Sequence, residues 1–269
     1  MNGPFHHGEL AAQRLAGVVA NGGGIRPFMP DQHREFFAAL PFMLAASVDA
    51  DGAVRAHVLH GGPGFVRTPD AYTLEADTPL VFTPGSALGM LGIDLSNRRR
   101  NRVNGVVRAS APGKLVLDVR ESFGNCPKYI TLRDVAPAAP APGPVHAFTG
   151  LDGAARALVA RADTFFIASA GGAHGVDISH RGGPPGFVGI EGATLQVPDY
   201  PGNRYFTTLG NLVLDARAAL LFIDFDSGDV LELRGSVSID WDGEQRSWRF
   251  ACAGGTLARA ALPLRWRLR

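Results

Sequence analysis

The densest set of polar side chains able to hold a ligand lies in VPDYPGNRYFTTLGNLVLDARAALLFIDF, residues 197–225. Asp199 to Arg204 is a polar turn, and Arg204, Thr207, Thr208 and Asn211 follow at near-helical spacing. A planar cation, two hydroxyls and an amide beside a helix start suit a phosphate, because free N-terminal amides and the helix dipole favour an anion there. The same residues suit an ordinary capped surface helix, and spacing alone leaves both readings open. A second region, VDISHRGGPPGFV at 176–188, reads as a strand entering a glycine-rich bend. Gly182, Gly183 and Gly186 permit close backbone approach to a flat ligand, with Ser179, His180 and Arg181 just before the bend. A β-bulge or barrel corner calls for the same glycines. The run NRRRNRVNG (97–105) puts Arg100 and Arg102 on one strand face. It reads as an exposed basic edge or as a site for phosphate or an acidic substrate. In SFGNCPKYI (122–130), Asn125 and Lys128 are possible donors to a ligand.

Other chemistries are disfavoured. Cys126 has neither a second cysteine nor a suitably spaced histidine pair beside it, so no metal site is expected and the thiol reads as structural. There is no Walker loop, nucleophile elbow or Gly-x-Gly-x-x-Gly fingerprint, which argues against a Rossmann-type dinucleotide site. No catalytic acid or base stands out. The 26 basic and 25 acidic side chains nearly cancel, unlike a nucleic-acid binder. No apolar run approaches the roughly 18 residues of a membrane span. His6, His7 and Glu9 near the N-terminus do not follow the basic-then-apolar order of a signal peptide. A soluble, reduced, cytoplasmic protein is expected.

The elements that must position these residues are short strands. The 34 glycines and 19 prolines cluster between apolar segments, as in a β-rich chain with many turns. Residues 42–59 read as a hairpin turning at Asp51-Gly52, and 164–179 as one turning at Gly171-Gly172. KLVLDV (114–119) alternates as a strand does. Helices are expected at Asp31–Leu40, with Asp31 as N-cap, and at Leu151–Arg161. Residues 134–150, with prolines at 137, 140, 142 and 144, read as a semi-rigid linker without an element. The chain then divides into an N-terminal arm and helix (1–40), a first domain (41–133), the linker, and a second domain (151–269). The halves resemble each other: GGPGFV (61–66) matches GPPGFV (183–188), and LGMLGIDL (88–95) matches AALLFIDF (218–225). The second half carries about eight extra residues around DYPGNRYFTTLGN. Repeated short strands suggest two small barrels packed about a pseudo-twofold axis.

In their order, DISHRGGPPGFV, VPDYPGNRYFTTLGN and ARAALLFIDF resemble the pyridoxamine 5′-phosphate oxidase-related flavoproteins. With FHHGEL, RRRNRVNG and FGNCPKYI the resemblance runs nearly end to end, to bacterial flavin-nucleotide-binding proteins related to that oxidase. It implies a mainly β fold with short helices, built as tandem split β-barrels of the FMN-binding type and internally duplicated. It implies FMN as cofactor, with Ser179, Arg181 and Gly182 along the ring and ribityl chain, and Arg204, Thr207, Thr208 and Asn211 on the phosphate. This chain has threonines where the oxidases have a more basic cluster, and it lacks their substrate-binding C-terminal pattern. The implied function is an FMN-dependent oxidoreductase with an unknown small-molecule or electron-transfer partner. The alternatives are a non-catalytic flavin sensor or carrier, or a split barrel holding a deazaflavin or haem. GNRYFTTLGN occurs only in the second half and GNCPKYI only in the first. One flavin site per chain is therefore expected at the boundary of the halves, with Asn125, Lys128 and Arg100 facing the second-half residues. The alternative is a homodimer in which a second copy completes the site.

Overall fold

The computed structural model describes residues 3–242 and 245–269; residues 1–2 of the N-terminal arm and 243–244 of the second domain lie outside it. Two helices open the chain, α1 (His7–Leu15) and α2 (Asp31–Ala39). The first half then forms β1 (Phe42–Val48), β2 (Val54–His60), β3 (Val66–Arg67), β4 (Thr73–Ala76), β5 (Ala87–Asp94), β6 (Arg99–Ala111) and β7 (Lys114–Gly124). Next come β8 (Arg133–Pro137), β9 (Val145–Thr149) and α3 (Gly153–Arg161). The second half forms β10 (Thr164–Ala170), a 3₁₀ turn (Gly172–His174), β11 (Val176–Gly182), β12 (Gly189–Glu191) and β13 (Thr194–Pro198). It ends with α4 (Thr207–Leu214), β14 (Arg217–Ile223), β15 (Val230–Asp240), β16 (Ser247–Ala258) and β17 (Leu264–Leu268).

The protein is mainly β, in antiparallel sheets of which none is closed. One large sheet runs β2-β1-β5-β6-β7-β4-β3 and the other β11-β10-β14-β15-β16-β13-β12, the same order strand for strand. The extra residues of the second half build α4, between β13 and β14; the matching interval between β4 and β5 holds no helix. Among the described residues, no helix is long and apolar enough to cross a membrane.

The strands nearest the sheet-to-sheet contact are apolar on both faces. In β1, Phe42, Leu44 and Ala46 point to the core between the halves, while Met43 and Ala45 point into the first half's own core. In β10, Phe166, Ala168 and Ala170 face the shared core, and Phe165 and Ile167 face the second half's core. A period of two with both faces buried yields runs such as FMLAA and TFFIA, apolar throughout rather than alternating. Three apolar cores result, one in each half and one between them, which fixes the halves against each other.

Three sequence expectations need correction. The 134–150 segment is not free of structure. β8, which ends on Pro137, pairs with β17 and β9 with β16, and the other three prolines fall in the stretch between them. Asp31 is not an N-cap: Pro30 holds that position with φ −58°, and Asp31 lies in the first turn, bonded to Arg34 at 3.0 Å. α1 was not expected. A capping box between His6 and Glu9 starts it, with histidine in the place usually held by serine or threonine.

Candidate functional site

β11 of the second half packs on β5 and β1 of the first, side chains of β6 reach it through hydrogen bonds, and a cavity of about 340 Å³ opens beside them. Arg100, Arg102, Asn125, Cys126, Lys128 and Tyr129 line it from the first half. Ser179 to Gly182, Asp199 to Arg204, Phe206 to Leu209 and Arg246 line it from the second. Of the ten residues singled out from the sequence, Arg100, Asn125, Lys128, Ser179, Arg181, Gly182, Arg204, Thr207 and Thr208 thus lie around one space. Asn211 does not line it. It is 1% exposed and lies behind the wall, where its Nδ2 donates to Asp177 at 2.9 Å and its Oδ1 pairs with His6 Nε2 at 3.0 Å.

Six cations surround the cavity, and Asp199 is the one carboxylate that lines it among the described residues. Asp199 is already bonded to Arg246, Nε to Oδ2 at 2.8 Å. Arg102 is held from behind by Asp177 at 3.0 Å and also donates to the Ser179 hydroxyl, which in turn meets Thr208 Oγ1 at 2.6 Å. Arg100 has no carboxylate. Its Nε donates to the Cys126 carbonyl at 2.7 Å and a terminal nitrogen donates to His180 Nδ1 at 2.8 Å. Burial, with Arg181 and Arg102 nearby, lowers its pKa to about 10. His180 accepts at Nδ1, so it is neutral with the proton on Nε2. Burial and the charges of Arg100, Arg181 and Arg133 push its pKa well down. Among the described residues, Arg181 donates only to the His180 carbonyl, at 3.2 Å, and its buried Nε has no partner. Lys128 and Arg204 are exposed and make no ion pair or hydrogen bond among the described residues. Arg100 and Arg181 are withdrawn from water with no anion bonded to them among the described residues, which is unfavourable, so this wall is electrostatically incomplete by itself.

The backbone is arranged for the same space. Phe206, the N-cap of α4, is left-handed (φ 61°) and gives no side-chain cap, so the helix start is open at the cavity wall. Tyr129 (φ 63°) and Arg204 (φ 64°) share that conformation. Such residues each cost roughly 1–3 kcal/mol and gather where the fold constrains a site. Gly182 lines the cavity and is also packed against the first half: a Cβ there would stand 2.0 Å from the Tyr129 carbonyl oxygen. Its missing side chain admits the first-half segment. That segment brings Tyr129 against Tyr200, with rings 5.0 Å apart and nearly parallel.

Behind α4 lies a buried carboxylate group. A Cβ on Gly210 would stand 2.6 Å from Glu9 Cα, so the glycine lets α1 pack directly on α4. This brings Glu9 near Asp177 and Glu121. Burial first, and Asp177 second, raise both Glu9 and Glu121 to about 7. A carboxyl whose folded pKa exceeds its unfolded value of about 4.3 contributes stability in full below that value, and this is lost as pH rises toward 7. Glu9→Gln keeps the capping geometry without the titration. We expect the variant to be about 1–2 kcal/mol more stable than the parent at pH 8 and nearly equal at pH 4, read by urea unfolding. The same pH slope in both proteins would show that Glu9 does not carry the effect.

Sequence reasoning did not single out Arg246, Asp199, Tyr129 or Tyr200 as site residues. Tyr129 and Tyr200 sat inside runs already noted, while Arg246 lies in a charged stretch, EQRSWRF, with no signal of its own. No protein-family model matches the chain, and no curated protein matches it. Among solved structures, HupZ of Group A Streptococcus is 12% identical over 36% of this chain and 98% of its own, with a TM-score of 0.29. A candidate pyridoxamine 5′-phosphate oxidase of Lactobacillus delbrueckii is 18% identical over 36% and 95%, also at 0.29. MrkH of K. pneumoniae, in its apo state, is 9% identical over 91% and 87%, at 0.28. Solved structures similar to part of this chain thus include an oxidase-type protein of the pyridoxamine phosphate class, at scores too low to carry an argument on fold or function.

Proposed function

We propose that the chain binds one flavin mononucleotide in the cavity between its halves and acts as an FMN-dependent oxidoreductase. The observation that carries this reading is the set of cations around one cavity that no carboxylate among the described residues pairs with: Arg100, Lys128, Arg181 and Arg204. A terminal phosphate supplies the missing dianion, at an open helix start. The volume of 340 Å³ lies within the roughly 300–1,000 Å³ of ligand pockets. Lys128, Arg181 and Arg204 bind the phosphate, and Arg100 reinforces the positive field. Ser179, with Arg102 behind it, orients the sugar-alcohol chain, and the tyrosine pair shields the ring end from water. The flavin, when bound, supplies hydride and electron transfer. Both walls of the cavity come from one chain, which favours a single-chain site over one completed by a second copy. The shared strand order supports reading the two large sheets as tandem split barrels that arose by duplication.

Fluorescence titration with FMN, FAD and riboflavin tests the reading. FMN is expected to bind best, at one per chain. Lys128→Ala is expected to weaken FMN about tenfold and leave riboflavin unchanged, since riboflavin lacks the phosphate. A chain that binds none of the three overturns the proposal, and two FMN per chain overturns the single site.

A further inference from the structure

We propose that His6, His7 and His174 bind one divalent transition-metal ion of the zinc type, which clamps the N-terminal helix to the β10–β11 turn. The site is independent of the flavin reading and lies outside the cavity. The sequence hides it, because His174 is 167 residues from His7. His6 is the N-cap of α1 and His7 its first residue, while His174 ends the 3₁₀ turn between β10 and β11. Packing of α1 on α4 brings the three imidazoles together, and one nitrogen from each lies within 4.8 Å of the others.

The closest pair is joined by a hydrogen bond. His7 Nδ1 and His174 Nε2 are 3.1 Å apart, and their rings stand at 70°. Two nitrogens each about 2.0–2.1 Å from one tetrahedral zinc are roughly 3.3 Å apart, so an ion can take the place of the shared proton once the exposed rings turn their lone pairs toward it. His6 is oriented from behind. Its Nδ1 accepts from the Gly8 amide at 3.1 Å, so its Nε2–H donates to Asn211 Oδ1 at 3.0 Å. A protein hydrogen bond to the far ring nitrogen is the usual support of a ligating histidine. Coordination through Nδ1 releases the buried Gly8 amide and with it half of the capping box, a cost that the metal bond must exceed. His6 and His174 are stacked at 9°. A metal lies in the plane of each ring it binds, so the exposed His174 ring must turn to engage the ion together with His6. His7 and His174 are both exposed, so burial of apolar surface does not account for the cluster. Neutral imidazole nitrogens select zinc, copper or nickel over calcium or magnesium.

The test uses tag-free, metal-stripped full-length protein titrated with Zn²⁺ by calorimetry and with Co²⁺ by visible absorption. The expected result is one ion per chain with micromolar or tighter affinity, at least tenfold weaker in both His7→Ala and His174→Ala. Zn²⁺ should also slow proteolysis between α1 and α2 in the parent and not in His174→Ala. Because both side chains are exposed, the variants should keep the parent's circular dichroism and melting temperature without metal. Absence of saturable binding in the parent overturns the proposal. So does undiminished binding of one ion in the His7→Ala/His174→Ala double variant.

Discussion

Replacing Arg102 with methionine should destabilise the protein by about 3–5 kcal/mol, the range for breaking a buried ion pair from one side, and lower the melting temperature on the order of 10 °C. Arg102 is 5% exposed and spans the two halves, from β6 to Asp177 and Ser179 on β11. Its guanidinium also lies over the Phe123 ring at 5.3 Å. Without it, Asp177 keeps only amide donors, from Asn104 at 2.7 Å and Asn211 at 2.9 Å, with Glu9 and Glu121 close by. Asp177→Asn in the same background should recover part of the loss, because the charge left unmatched is then gone. Loss within about 0.5 kcal/mol, the range of ordinary surface changes, would mean that the pair does not hold the halves together.

The same pair shows where sequence reading ends. The strands of each half were legible, because period-two patterns and Gly-rich turns depend only on neighbours along the chain. Asp51-Gly52 and the 171–175 turn do join strands. The basic run at 97–105 was visible too, but whether it formed an edge or a site depended on what lay opposite. The structure puts Asp177 and His180 there, 75 and 80 residues away. Asn211 misled for a related reason: helical spacing put it in line with Thr207 and Thr208, but the helix turns its amide toward Asp177 and His6. Prolines in 134–150 suggested an unstructured link, yet proline forbids only its own backbone donor. β8 and β9 pair with strands from the far end of the chain. Histidine as an N-cap and a third histidine at 174 gave no local sign at all, since their partners come together only when α1 packs on α4.

Arg181→Met should separate ligand binding from stability in opposite directions. FMN affinity is expected to fall tenfold to over a hundredfold, from the loss of a charge-assisted contact of about 1.5–3 kcal/mol. Riboflavin affinity should change little. The ligand-free variant, by contrast, should be as stable as the parent or more stable, by about 1 kcal/mol. The signs follow from the surroundings of this side chain. Among the described residues, Arg181 has no carboxylate bonded to it and a buried Nε without a partner. Burial lowers its pKa; Asp199 opposes this, while Arg102 and Arg246 add to it. In the empty cavity its charge is thus held against desolvation and repulsion, which methionine removes at similar volume. In the filled cavity that same unmatched charge meets the phosphate. Inorganic phosphate gives a readout that does not depend on the flavin: at millimolar concentration it should raise the melting temperature of the parent and not of Arg181→Met, by mass action on the folded state. A variant that loses stability and keeps its phosphate response would make Arg181 a structural residue. The phosphate grip would then have to rest on Lys128, Arg204 and the open start of α4.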